Sequence, residues 1–138
     1  MKKKIIYLSH WRFPSEKTMT PLIMKTCEGF IQEGFLVELW IPKRINHGFS
    51  GVDPFVKHNI PTRFPIRTLF SFRGIERLGK VGFILMVVIF NISSFFRLLK
   101  ERRLNTSLII YGHDIRDLIL PSFLGLPIFI EIHDFYES

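Results

Sequence analysis

The chain has 138 residues, 47% of them apolar, with 15 Phe. That is the size of one domain with a substantial core, and it excludes an intrinsically disordered chain. The formal charge is +7 and uneven: residues 1–46 carry eight Lys/Arg against four acids, residues 47–103 ten against three, and residues 104–138 one against five. A basic surplus of this kind suits an anionic partner, whether phospholipid headgroups, a phosphorylated substrate or nucleic acid, and also serves as ordinary solubilising charge.

The opening Met1-Lys2-Lys3-Lys4 resembles the head of a signal peptide. Its apolar follow-on, Ile5 to Leu8, is too short for a secretory core and ends at Ser9-His10-Trp11-Arg12. Lys4 to Leu8 reads instead as a buried strand, followed by a polar loop to about Met19. Thr20 before Pro21 predicts a helix start, with Thr20 as cap and Pro21 at the first helical position. Ile23, Cys27, Phe30 and Ile31 recur at helical spacing, and Gly34 stops the helix. Cys27 is the single cysteine. It cannot form an internal disulfide, suits a reducing compartment, and fits a small core residue better than a nucleophile. Phe35 to Ile41 predicts a second strand closed by Pro42.

Residues 42–60 read as loop, punctuated by Gly48, Gly51 and Pro54. Thr62 to Arg67 predicts a short third strand containing Pro65. Arg73 to about Arg103 predicts one long helix or two stacked ones, with breaks possible at Gly74, Gly79 and Gly82. The apolar run Val81 to Phe96 within it is shorter than the roughly 20 residues of a membrane span, and Asn91, Ser93 and Ser94 interrupt it. Ser107 to Gly112 predicts a fourth strand, Asp114 to Leu120 a short helix capped by Asp114 and ended by Pro121, and Pro127 to Ile132 a fifth strand. Near-continuous apolar strands alternating with helices predict an α/β fold, a Rossmann-like parallel sheet with helices on both faces.

Ligands of open parallel sheets bind beyond the carboxyl ends of the strands. His10 follows the first strand, His113 and Asp114 the fourth, His133 and Asp134 the fifth. For any one of these residues, ordinary strand-end polarity or helix capping is explanation enough. For the cluster, the expectation is a functional edge. Standard signatures are missing: there is no G-x-G-x-x-G, no Walker loop, no G-x-S-x-G elbow, and no cysteine pair or His-x-x-x-His that would ask for a metal. No nucleic-acid module accompanies the basic middle of the chain, so no nucleic-acid partner is expected.

Three segments carry a family resemblance. The first runs through Phe13-Pro14-Ser15-Glu16-Lys17, then Met24 to Phe30, then Gly34-Phe35-Leu36-Val37-Glu38-Leu39. The second is Ile109-Ile110-Tyr111-Gly112-His113-Asp114, and the third Pro127-Ile128-Phe129-Ile130-Glu131-Ile132-His133-Asp134. In order and spacing they resemble the N-terminal domain of retaining GT-B glycosyltransferases of the family 4 type, over nearly the whole chain except about 43–105. The resemblance implies sugar transfer, with retention, from a nucleotide diphosphate sugar to a lipid-linked or polysaccharide acceptor, without a further cofactor or metal. It implies a catalytic-cleft role for His133, hydrogen-bonded to a donor-sugar hydroxyl, and places Ser15, Glu16 and Lys17 near donor phosphates and acceptor. Lys17 is equally well read as a phosphate-facing charge or a solvated one. His113 stands where relatives often carry Arg.

In that family a second domain grips the donor through two glutamates separated by seven residues. No Glu here has a Glu eight positions later. The expectation is therefore an incomplete N-terminal half, inactive alone, as a truncated product, a fragment or one member of a split enzyme; the alternative is a non-catalytic membrane-associated subunit that recruits a partner holding the donor-binding domain. A cytoplasmic protein, peripheral on an anionic membrane face through residues 63–103, is the matching expectation for location.

Overall fold

A computed structural model describes residues 3–10, 19–42, 53–57, 59–70, 78–104 and 107–131. Strand β1 (Lys4–Leu8) is followed by α1 (Met19–Gln32), β2 (Leu36–Pro42), a short α2 (Pro54–Lys57), β3 (Ile66–Leu69), α3 (Lys80–Leu104), β4 (Leu108–Gly112), two 3-10 turns (Ile115–Asp117 and Pro121–Leu124) and β5 (Ile128–Ile130). The five strands form one sheet in the order β3-β2-β1-β4-β5. Every pairing is parallel. This is the α/β, Rossmann-like arrangement.

β1 is the central strand, with Lys4 opposite Leu36 and Leu108, and Leu8 opposite Trp40 and Gly112. Successive side chains of a strand point to opposite faces, and here both faces are covered. Ile5 and Tyr7 join Val37, Leu39 and Ile41 against Ile23, Met24 and Cys27 of α1. Ile6 and Leu8 join Trp40, Leu108 and Ile110 against Phe90 and Leu98 of α3. Burying such a side chain fully contributes roughly 1.5–3 kcal/mol, so these two cores carry most of the stabilisation.

Several boundaries differ from the sequence reading, each for a local reason. α1 begins at Met19, so Thr20 lies inside the first turn and is not its cap. Pro21 is still tolerated there, because the first helical N–H groups have no intrahelical partner. Gly34 does end the helix, at φ 97°, with Phe35 N–H donating to Phe30 carbonyl oxygen at 3.1 Å. The expected loop 42–60 contains α2, whose start is held by Asp53 accepting from Phe55 N–H at 2.9 Å. The third strand starts at Ile66, not Thr62. Pro65 has no N–H for a ladder, and its carbonyl instead accepts from Leu39 N–H at 3.0 Å, just ahead of the strand. Within the expected helix from Arg73, residues 71–77, including Gly74, lie outside the described residues. Gly79, at φ 71°, precedes the helix, and Gly82 is buried inside it without a break. β4 starts one residue late, at Leu108, and Ile132 lies outside the described residues. The expected helix Asp114 to Leu120 is a single 3-10 turn, and Pro121 opens a second turn rather than ending the first.

One buried charged network ties the amino end of the sheet to α3. Lys4 Nζ lies 2.7 Å from both Glu38 and Glu101. Glu38 also accepts from Arg67 Nε at 2.7 Å and from Trp40 Nε1 at 2.9 Å. Burial alone would push the Glu38 carboxyl up. The hydrogen bonds from Arg67, Lys4 and Trp40 prevail and hold it down to about 2, against an ordinary 4.5. A depressed carboxylate contributes stability that is complete above its unfolded value and is lost as pH falls toward its folded value. Urea unfolding from pH 6 to 2 should therefore show stability falling below about pH 4.5, by an amount on the order of 3 kcal/mol for this one group. Glu38→Gln should be less stable at pH 6 and should flatten that acid limb. An unchanged limb in the variant would contradict the network's role.

Candidate functional site

The chain steps from β1 to β2 to β3 on one side and from β4 to β5 on the other, so the sheet's direction of winding reverses between β1 and β4. The crevice beyond the carboxyl ends at such a point is where open α/β sheets bind ligands. Ser9 and His10 leave β1 there, and His113 and Asp114 leave β4. Gly112 allows the close approach: a Cβ on it would lie 3.2 Å from the Leu8 backbone oxygen and 3.2 Å from the Leu118 side chain.

His10, an even-numbered neighbour of Ile6 and Leu8, turns to the α3 face. Its ring Nδ1 is 2.8 Å from Asp117 Oδ1, and its backbone N–H donates to Asp117 Oδ2 at 3.2 Å. Nε2 points toward Asp114 Oδ2 at 3.9 Å. The ring stands edge-on to Phe83 of α3, with centroids 5.3 Å apart. Asp117 is fully buried. Burial pushes its carboxyl up, against the lowering pull of the hydrogen bond to His10. Asp114 caps the first 3-10 turn by accepting from Arg116 N–H, and it also holds the Arg116 guanidinium at 2.6 Å. Burial raises Asp114, but the Arg116 hydrogen bonds outweigh it and leave the carboxyl below its usual range. Arg116 in turn lies over the Phe83 ring at 5.2 Å. The result is an oriented imidazole backed by a buried carboxylate, beside an arginine already paired with Asp114.

His113 follows the other parity. It continues the line of Ile109 and Tyr111 and turns to the α1 face, where its ring is 6.2 Å from that of Tyr7. Tyr7 and Tyr111 lie 5.2 Å apart, and Tyr111 hydroxyl donates to Glu131 Oε2 at 3.2 Å. The Tyr7 hydroxyl is buried and has no hydrogen-bond partner among the described residues. Burial first, and then the nearby Glu131, push both phenols up, Tyr111 to about 12, so both stay neutral. The two histidines thus share one edge of the sheet but not one pocket.

Ser15, Glu16, Lys17, His133 and Asp134 lie outside the described residues. Asp117, Arg116, Tyr7, Tyr111 and Glu131 are site neighbours that the sequence reading did not single out. The one signal for Asp117 in the sequence is its place in the first turn of a helix that Asp114 is expected to cap. Among the described residues, no group of three or more His, Cys, Asp or Glu could hold a metal ion. No protein-family model, curated protein or solved structure matches the chain.

Breaking a buried pair leaves one charged or polar partner stranded, at a cost of roughly 3–5 kcal/mol. Asp117→Ala and His10→Ala should each destabilise the protein, and the double variant should cost clearly less than their sum, because both delete the same contact. Additive losses in a urea-unfolding double-mutant cycle would show that the pair is not coupled.

Proposed function

We propose that this chain is the acceptor-side half of a retaining GT-B glycosyltransferase, working with a donor-binding domain supplied by further sequence or by a partner chain. The observation that carries the reading is the neighbourhood of the motif-bearing strands. β4 pairs with both β1 and β5, with Gly112 opposite Leu8 and Ile130. Of the segments that resemble the family, the second forms β4 and the third contains β5, adjacent strands whose carboxyl ends share one edge of the sheet, while the described part of the first runs through α1 into β2. In this reading the switch-point crevice receives the acceptor, His10 and Asp114 line its α3 side and His113 its α1 side. The family resemblance assigns His133 to a hydroxyl of the donor sugar, Ser15, Glu16 and Lys17 to the donor phosphates and acceptor, and Asp134 to the substrate.

Transfer needs donor and acceptor held together, and that proximity supplies much of the rate enhancement. The 138-residue chain alone should therefore show no transfer or hydrolysis of nucleotide diphosphate sugars. It should still bind acceptor. Titrating a sugar 1-diphosphate that lacks a lipid tail into the 15N-labelled chain should shift the amides of Ser9, His10, His113 and Asp114. Sugar transfer by the clean chain, or shifts confined to residues away from this edge, would overturn the reading.

A further inference from the structure

α3 is apolar on both sides, and only one side is covered. Gly82, Met86, Val87, Phe90, Asn91, Ser94 and Leu98 are buried in the molecule. The opposite side presents Val81, Ile84, Leu85, Val88, Ile92 and Phe96, between 42% and 64% exposed. A helix lying on a sheet normally turns charged or polar residues to water, and one that is apolar all round is covered all round. Here the face is extended by exposed Ile119, between the two 3-10 turns, and exposed Phe123, in the second of them. Between Ile84, Val88 and Ile119 runs a cavity of about 360 Å³ floored by Val87 and Phe83. Contiguous apolar surface of this kind marks an interaction site.

The charge around it selects the occupant. α3 contains five bases, Lys80, Arg97, Lys100, Arg102 and Arg103, and one acid, Glu101. That acid is held 2.7 Å from Lys4, in the network at the sheet. Within α3, exposed Lys80 at one end and exposed Lys100 and Arg103 at the other therefore frame the apolar face with positive charge. A second copy of the chain, packed antiparallel, would set these cations against one another. An anionic bilayer meets both requirements, with headgroups for the cations and acyl chains for the stripe.

We propose that the outward face of α3, from Val81 to Phe96, seats on an anionic lipid bilayer and lies along it. At 25 residues the helix is long and apolar enough to cross a membrane. It does not cross, because its other face is the floor of the sheet. Asn91 secures that side, donating to Arg116 carbonyl oxygen at 2.7 Å and accepting from Leu120 N–H at 3.1 Å. This surface is independent of the glycosyltransferase reading and stands or falls separately from it.

The test is co-sedimentation of the full chain with vesicles of phosphatidylcholine, with and without phosphatidylglycerol. The chain should bind the anionic vesicles, and part of the binding should survive salt high enough to screen exposed charges. Ile84→Glu/Val88→Glu, at solvent-exposed positions, should lose roughly tenfold or more in affinity while keeping its circular dichroism and melting temperature. Lys80→Gln/Lys100→Gln/Arg103→Gln should weaken binding to anionic vesicles about fivefold per cation. No binding to anionic vesicles at low salt would overturn the proposal. Undiminished binding by the double-Glu variant would overturn it too. A chain that resists alkaline extraction from the vesicles would show a span instead, and a solution dimer dissolved by the double-Glu variant would assign the face to a second copy.

Discussion

β1 has water on neither face. Every residue from Ile5 to His10 is buried, with a strand on each side and a helix above and below. Such a strand cannot slip by one residue without exchanging its two cores, so its register is strongly specified. The alternation set in Ile5, Ile6, Tyr7 and Leu8 then continues past the end of the strand. It sends His10 to α3 and the matching line on β4 sends His113 to α1. The division of the site into two halves is thus a consequence of how the core is packed.

α3 obeys the same constraint from outside. Returning the chain from β3 at one edge to β4 beyond β1 requires a long crossover, and the helix that makes it covers Ile6, Leu8 and Trp40. Phe83 links this structural task to the site, its ring lying 5.3 Å from that of His10 and 5.2 Å from the Arg116 guanidinium. The run from Phe83 to Phe90 is neither all core nor all surface. Met86, Val87 and Phe90 are buried, while Ile84, Leu85 and Val88 face outward. The apolar groove and the imidazole edge therefore share a wall, and a molecule held at the bilayer would present its site close to the headgroup layer.

The parallel sheet was legible because β1, β2 and β4 are near-continuous apolar runs, broken within β2 by Glu38, and because Gly34 and Pro42 punctuate them. The edges were less legible. β3 is mostly exposed apart from Leu69, so little hydrophobic pattern marks its limits, and only the missing N–H of Pro65 does. α2 was written in Asp53-Pro54, an acceptor followed by a residue suited to the first helical position, but four residues are too few to show periodicity. At the site, the strand-end histidines were visible from spacing alone. Their separation into two faces was also readable, since 10 continues the even positions of β1 and 113 the odd positions of β4. The His10–Asp117 pair was not, because it joins residues 107 positions apart and depends on where the 3-10 turn folds back over β1.

The most direct measurement is the set of proton–proton contacts seen by NMR between the two imidazoles and the aromatic rings around them. The parity of β1 and β4 predicts contacts from His10 to Phe83 and from His113 to Tyr7, with none from His10 to Tyr7. Contacts from both imidazoles to the same ring would place them in one pocket and contradict the account.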